Sequence, residues 1–512
     1  MNQSPSSIPP ARPKYLALLD GVERFGNRLP HPALIFIYLT VIVMIASWLL
    51  NLLGTSIIQP GTEKELAVKS LLSAEGIQYI LASVLSNFIE FKPLGLVLVF
   101  TLGVGLAEKA GLFEAAIKKT LVKAPKSIIT YSVIFIGIMG SVAADSAYII
   151  VPPIAAMIFQ LFGRNPIAGL AAGIAGTGCG FTANIFVSSF DAMLAGISTQ
   201  IAQTIDPNMV VNPVDNWYFM SASVFILTIV GAFVTERIVE PRLGKYEGAA
   251  EIKLDTKSEN PLVNKALRNT LISAALYSGI IVVALFMPNS PLRGENGSII
   301  DSPFMAGINT IILFFFIIIG LTYGITAKKI SSINDVVNKM AESVKDIAGF
   351  IVLVFFIAQF IAYLQWSNLT VLMAVNGAEL LKSVNLVGLP AVILLVLVTA
   401  CSSLFITSGS ALWAMLAPIF IPMFMLLDFH PAFIQVAYRI ADSVTNMITP
   451  LNPFVAVMLG FLMKYDKKAG LGTHIALIFP YTVAFLIVWI IMLIAFALFN
   501  IPVGPGVPMH LK

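Results

Sequence analysis

The chain has 512 residues, 58% of them apolar and only 11% charged, with a mean hydropathy of +0.89; soluble domains carry about 25% charged residues, so an ordinary solvated surface is excluded. Thirty-one Lys and Arg against 27 Asp and Glu leave a net charge of +4, too balanced for the basic face of a nucleic-acid binder. Two cysteines, Cys179 and Cys401, both in apolar stretches, exclude a disulfide framework and a cysteine-rich metal site, and four scattered histidines form no metal-ligand spacing. The chain therefore reads as an all-α polytopic membrane protein: a transporter, a channel or an intramembrane enzyme.

Residues 1–30 hold Ser and Pro followed by mixed charge, without the apolar core or cleavage site of a signal peptide, and read as a cytoplasmic N-terminal segment. A bilayer core about 30 Å thick needs about 20 apolar residues per helix. By that measure residues 31–53 form an uncleaved anchor helix and residues 93–107, continuing to 112, the next crossing; together they make an N-terminal unit, 31–112. A first repeat follows over 113–236. It contains an apolar region, 127–203, too long for one crossing and interrupted by Gly, Ser, Thr, Asn and Pro, then a helix over 217–235. A mixed-charge linker, 237–270, reads as solvated. Scaffold helices occupy 271–366, with crossings at 271–287, 304–324 and 347–364. A second repeat, 367–463, contains the other long interrupted region, 387–463, and residues 464–512 supply a loop, a last helix at 477–499 and a tail.

The two interrupted regions share one order of features. A polar tip ending in Ser146 or Ser410 precedes Pro153 or Pro418; Pro166 or Pro431 then stands in an Asn-Pro or His-Pro pair; a polar break follows, 177–184 or 442–449. Cytoplasmic loops are enriched in Lys and Arg. Lys118, Lys119, Lys123 and Lys126 precede the first region, whereas Lys464, Lys467 and Lys468 follow the second. The first hairpin therefore enters from the cytoplasm and the second from outside, so the repeats are inverted. Counting by this rule gives nine transmembrane helices plus two re-entrant hairpins, with segments 1–30, 236–270 and 327–346 cytoplasmic and the C-terminus external. The Asn296-Gly297-Ser298 sequon falls in a predicted external loop.

Non-helical backbone at membrane depth is tolerated only where protein or a water-filled cavity satisfies it, and broken helices in inverted repeats are the mark of a secondary transporter with a midplane site. Ionisable residues inside such regions are costly and therefore candidates for function. They are Asp145, Asp191, Arg439 and Asp442, with Arg164, Asp428 and His430 near the ends. Arg439 and Asp442, three apart on one helix, form either a structural ion pair or a site where Arg439 presents its planar fork to a substrate carboxylate while Asp442 tunes it or carries a proton. Asp145 either binds a cation or exchanges a proton, or else caps the next half-helix, and Asp191 either lines the path or caps its helix. Trp413 is an interfacial anchor, a packing residue or a stacking platform for a substrate ring. Asp145, Ser146, Asn184 and Thr449 are the expected cation ligands, from the repeat pattern alone. The prolines read as helix shapers and Cys179 as a small apolar residue.

The other classes lack their signatures. No phosphate-binding G-x-x-x-x-G-K-[ST] loop is present, so a primary pump would need a partner subunit; no repeated filter sequence marks a channel. Ser408-Gly409 has part of an intramembrane serine protease pattern, but Ile406 stands where its glycine belongs and no helical histidine is placed as its base.

At GCGFTAN, DNWYFM, ERIVEPRLG, SGSALWAMLAPIFIPMFMLLDFHPAF and RIADS the chain resembles the p-aminobenzoyl-glutamate transporter (AbgT) family, from Val22 to the IPVGPG run at Ile501. The resemblance implies nine helices and two opposed hairpins in a homodimer, and a substrate path lined by Asp191, Ser410, Trp413, Pro431, Arg439, Asp442 and Pro450. It further implies uptake of p-aminobenzoyl-glutamate, a folate catabolite, with proton-driven efflux of sulfonamide-type antimetabolites as the alternative; a membrane-embedded hydrolase, using Ser408 or Ser410, is the different-class reading. The expectation is a cation-coupled secondary transporter of the bacterial inner (plasma) membrane, not an enzyme, with no cofactor beyond a sodium ion or proton as coupling ion and no nucleic-acid partner.

Overall fold

The computed structural model describes residues 30–58, 65–143, 146–246, 261–294, 297–300 and 302–511. Asp145, Asn296, nearly all of the N-terminal segment and the middle of the 237–270 linker lie outside the described residues.

The first helix, α1 (Pro32–Leu52), opens on a proline at its first turn and a His31 side-chain cap. A two-stranded antiparallel hairpin, β1 (Ser56–Ile58) and β2 (Glu65–Ala67), pairs Ser56 with Ala67 and Ile58 with Glu65. Then come α2 (Ala74–Ile89), α3 (Lys92–Lys109) and α4 (Leu112–Lys123). Next come α5 (Ile129–Met139), α6 (Ser146–Leu161), α7 (Pro166–Ile174) with a π-helical turn at Ala175–Cys179, α8 (Ser189–Ala202) and α9 (Trp217–Val234), then a second π turn at Thr235–Val239 and α10 (Glu240–Leu243). The middle of the chain forms α11 (Pro261–Phe286), α12 (Pro303–Ala306), α13 (Ile308–Thr326), α14 (Ile333–Asp346), α15 (Ala348–Trp366) and α16 (Leu369–Ser383). The second repeat supplies α17 (Leu389–Ser403), α18 (Gly409–Met425), α19 (Pro431–Thr445) and α20 (Pro453–Leu462), and α21 (Leu471–Leu498) closes the helical part.

Among the described residues seven helical stretches are long and apolar enough to cross a bilayer, and an eighth candidate is a pair, Leu112–Leu121 and Lys126–Val142, bent by 109°. The predicted nine crossings are not reached by this measure, for a physical reason. Ser146–Leu161, Pro166–Cys179, Leu389–Ser403, Gly409–Met425 and Pro453–Leu462 are apolar but short; at about 1.5 Å per residue each spans less than the hydrocarbon thickness. Three further helices were not expected. α2 carries Glu75, Ser83, Ser86 and Asn87 in its apolar run, α16 precedes the second hairpin, and α14 lies in a segment read as a loop although a Ser332–Asp335 capping box starts it. Helix also enters both ends of the predicted linker, through α10 and the start of α11.

The hairpin bases are built alike. Asn165 and His430 each precede a helix-opening proline, and each side chain accepts the N–H two residues on, Ile167 at 2.9 Å and Ala432 at 3.2 Å. The predicted Asn-Pro and His-Pro pairs are thus N-caps. ERIVEPRLG closes the first hairpin's base: Arg164 binds the Glu240 carboxylate, donates to Thr130 Oγ1 at 2.6 Å and lies over the Phe159 ring, while Thr130 donates to Glu236 at 2.6 Å. One apolar core runs through both repeats, α15 and α21; a second joins α3, α11 and α13.

Candidate functional site

The site forms where the break of the first repeat, residues 180–188, crosses the middle of α19. Close approach is the first requirement. A Cβ on Gly178 would lie 2.0 Å from Met447 Cγ, so a side chain there would displace the facing break. With the backbones close, Thr182 donates its N–H to Ser443 Oγ at 3.2 Å, exchanges a hydroxyl bond with it at 2.7 Å, and offers its carbonyl to Arg439 Nη2 at 2.8 Å.

Helical spacing then divides α19 into two working faces. Gln435, Arg439 and Ser443 recur every four residues and face the first repeat; Tyr438, Asp442 and Thr445 face the second hairpin. Arg439 therefore does not pair with Asp442. Its Nη2 lies 2.6 Å from Asp191 Oδ1, and the two side chains are 2% and 7% exposed. A buried ion pair is sustained only when further hydrogen bonds satisfy its remaining atoms. Asp191 Oδ2 accepts from Ser188 N at 2.7 Å and Ser188 Oγ at 2.6 Å, which makes the same carboxylate the cap of α8, and Arg439 Nη1 donates to Asn216 Oδ1 at 3.4 Å. Helix capping and charge pairing are one arrangement here. Arg439 Nε has no hydrogen-bonding partner among the described residues.

Asp442 points toward the second hairpin. A Cβ on Gly409 would lie 2.9 Å from Asp442 Oδ2 and 3.0 Å from the Phe190 ring, so the start of α18 is wedged between Asp442 and the neighbour of Asp191. Asp442 Oδ2 has no hydrogen-bonding partner among the described residues; it stands at the positive end of a helix, which favours a carboxylate. Ser408 caps α18 and lies 3.0 Å from Ser410, hydroxyl to hydroxyl. Trp413, one turn further, is fully buried, packs on the Tyr438 ring with centroids 4.5 Å apart, and donates from Nε1 to Ser198 Oγ at 3.1 Å. Trp413 is a fully buried packing residue, not an interfacial anchor.

The structure thus gathers Asp191, Ser410, Trp413, Arg439 and Asp442. Pro431 opens α19 two turns away, about 12 Å along the axis, and Pro450 lies in the turn after α19; they shape the helix at its two ends. The expected cation ligands fall at two places. Asn184 Nδ2 donates to Ser141 Oγ at 3.3 Å, tying the first break to the first hairpin's tip, and Thr449 Oγ1 donates to Leu404 O at 2.7 Å, tying the second break to the second tip. Ser146 instead donates to Glu108 Oε1 at 2.9 Å, on α3. Among the described residues no group of three or more His, Cys, Asp or Glu is placed to hold a metal ion. The sequence reading missed Thr182, Ser198, Asn216, Gln435, Tyr438 and Ser443. Gln435 and Ser443 were legible as polar residues one turn either side of Arg439; the others reach the site from distant segments.

The family model described as "AbgT putative transporter family" matches residues 17–511. The p-aminobenzoyl-glutamate transport protein of Escherichia coli (strain K12) is 44% identical over 505 residues, covering 98% of this chain and 99% of that protein. The crystal structure of the Alcanivorax borkumensis YdaH transporter, noted for an unusual topology, is similar with a TM-score of 0.88 at 35% identity, covering 93% of this chain and 100% of that one. MtrF of Neisseria gonorrhoeae, described as illuminating a class of antimetabolite efflux pumps, gives a TM-score of 0.89 at 40% identity over 96% of this chain and 100% of its own.

Proposed function

The chain belongs to the AbgT transporter family, and from that premise we propose that it moves p-aminobenzoyl-glutamate and similar aromatic anions across the bacterial inner membrane by cation-coupled alternating access. It is a transporter and not an enzyme. The observation that carries the substrate reading is the buried Asp191–Arg439 pair, joined to the Trp413 indole through one hydrogen-bonded network. An arginine whose counter-ion is supplied by the protein can release it to a second carboxylate without a bare charge forming, because one carboxylate replaces another. Asp191 keeps its bonds to Ser188 during that exchange, so the counter-ion stays in place for the empty carrier's return. In this reading Trp413 and Tyr438 receive the ring, and Ser410 and Asp442 receive the amine.

The remaining parts follow as proposals. The coupling ion, sodium or a proton, acts at the tip-to-break contacts of Asn184 with Ser141 and of Thr449 with Leu404, with Asp145 and Ser146 as further candidate ligands; hydroxyl and carbonyl oxygens suit a small hard cation. Each pair of short helices supplies a hairpin or one broken crossing, which gives nine crossings plus two hairpins. The chain works as a homodimer with its N-terminus cytoplasmic and C-terminus external. Efflux of sulfonamide-type antimetabolites is the second reading, favoured by the similarity to MtrF.

The test is accumulation of labelled p-aminobenzoyl-glutamate in proteoliposomes under sodium or proton gradients imposed separately. One gradient is expected to drive wild-type uptake, and Arg439→Ala to lower it at least about 100-fold, since breaking a buried pair costs about 3–5 kcal/mol. Uptake that is unchanged in the variant would remove Arg439 from the site; export of preloaded sulfonamide without uptake would select the second reading.

A further inference from the structure

The DNWYFM segment lies outside both hairpins and both breaks, yet one of its residues enters the site. Asn216, in the turn before α9, is 1% exposed and makes three bonds with one amide. Its Nδ2 donates to Ala432 O at 2.8 Å, fixing it to the first turn of α19; its Oδ1 accepts from Gln435 Nε2 at 2.8 Å and from Arg439 Nη1 at 3.4 Å. Gln435 Oε1 in turn accepts from Ser198 Oγ at 2.7 Å, and that same hydroxyl accepts the Trp413 indole N–H at 3.1 Å. A continuous chain of buried hydrogen bonds therefore runs from the guanidinium to the indole: Arg439, Asn216, Gln435, Ser198, Trp413. Four separate segments contribute to it.

The turn carrying Asn216 is itself held rigidly. Asp215 accepts the Asn212 N–H at 2.8 Å, and Trp217 Nε1 donates to Ile185 O, inside the first break, at 2.6 Å. The C-terminal tail covers it: Phe219 N donates to Val503 O at 3.1 Å, and Gly504 sits so close that a Cβ there would lie 2.3 Å from Asp215 O. An amide is the suitable group at this position. It accepts from two donors and gives to a third without adding charge, whereas a carboxylate would place a second anion beside Arg439 and repel an incoming one.

We propose that Asn216 is a positioning residue which, through Gln435 and Ser198, fixes the Arg439 guanidinium relative to the Trp413 ring and so sets the ring-to-carboxylate spacing that the carrier selects. This rests on the substrate reading above and adds a specificity determinant to it. Buried hydrogen-bond networks hold side chains in one geometry, and a site held to within a fraction of an ångström can discriminate one methylene by about 10–200-fold.

The experiment compares transport of p-aminobenzoyl-glutamate with that of the aspartate conjugate, one methylene shorter, in proteoliposomes of wild type, Asn216→Ala, Asn216→Asp, Ser198→Ala and Arg439→Ala. Wild type is expected to prefer the glutamate conjugate. Asn216→Ala and Ser198→Ala should raise KM with Vmax little changed and narrow the ratio of kcat/KM between the two conjugates about fivefold or more. Asn216→Asp should raise KM for both without restoring the ratio. A purely structural role would lower Vmax or protein yield for both conjugates and leave the ratio where it was, and that result overturns the proposal, as does a wild type indifferent to the methylene. If Asn216→Ala fails to insert, the ratio in Ser198→Ala decides alone. Failure of the underlying reading looks different: wild type then carries neither conjugate, or Arg439→Ala carries both as wild type does.

Discussion

Pro153, Pro166 and Asn184 of the first repeat match Pro418, Pro431 and Thr449 of the second at one constant offset, and at that same offset Ile174 and Thr177 stand where the second repeat has Arg439 and Asp442. The scaffold is duplicated and the charge is not. In the first repeat the run AGTGCG lowers helix propensity, and the helix relaxes into a π turn at Ala175–Cys179 before unwinding. In the second repeat α19 stays α-helical to Thr445 and keeps its ionisable side chains on a regular face. The first repeat therefore contributes buried non-helical backbone, Thr182 O, and a counter-ion beyond the break, Asp191; the second contributes the cation and the carboxylate oxygen of Asp442 that has no partner among the described residues. Duplication supplies matched proline-opened helices and matched breaks, and divergence at two helical positions places the charge in one repeat only.

The sharpest way to break this division is to exchange chemistry at the matched positions. Asp442→Asn keeps shape and loses charge, and is expected to lower coupled transport more than about tenfold, because an ionisable group held at membrane depth is retained for function. Thr177→Val, at the matched position, should stay within about twofold, since among the described residues the Thr177 hydroxyl bonds only to its own helix, at Gly173 O and Ile174 O. Initial uptake rates in proteoliposomes, corrected for the amount of inserted protein, measure both. Equal losses at the two positions would refute a division of labour between the repeats.

A smaller effect is expected where the repeats remain alike. Asn184→Ala cuts the first tip-to-break contact and Thr449→Val the second. If the coupling ion is shared between the repeats, each should raise the half-saturating concentration of that ion several-fold, by about 1 kcal/mol for one lost ligand-side hydrogen bond, with maximal rate retained. An effect confined to one variant would place the ion in one repeat only.

These contrasts also show what the sequence could reveal. The duplicated features were legible because they depend on local punctuation: proline at a helix start, a cap just before it, a polar gap in an apolar run. Asp191, Arg439 and Asp442 were legible because charge in an apolar stretch is costly wherever it points. Their pairing was not. Spacing alone put Arg439 and Asp442 together, and only the crossing of the first break over α19, permitted by Gly178, brings Asp191 closer. Asn216 and Ser198 looked like ordinary loop and helix residues for the same reason: their partners lie more than two hundred positions away. The helices α2 and α14 escaped a hydropathy reading because they are amphipathic or polar, although the Ser332–Asp335 box announced α14.

The mildest contrast concerns the caps. Asn165 and His430 do the same work, but only one of them titrates. Burial of His430 lowers its pKa from 6.5 to about 4, so its contribution to stability is present above pH 6.5 and is lost as the pH falls toward 4, when the ring nitrogen that accepts the Ala432 N–H becomes protonated. Asp215, on the turn beneath the C-terminal tail, goes the other way. Burial raises it from 3.8 to about 7, against the opposing Asn212 hydrogen bonds, so its contribution is present below about pH 4 and is lost as the pH rises to 7. At about 1.4 kcal/mol per unit the two are each of order 3–4 kcal/mol and of opposite slope between pH 4 and 6.5. Relative to wild type in detergent, His430→Asn, which gives the second repeat the first repeat's cap, should tilt the melting-temperature profile downward with rising pH between 4 and 6.5, and Asp215→Asn should tilt it upward between pH 4 and 7. A profile unchanged from wild type in both variants would mean that neither group is held in the protonation state its burial imposes, and that the choice of histidine over asparagine at the second cap carries no stability difference of its own.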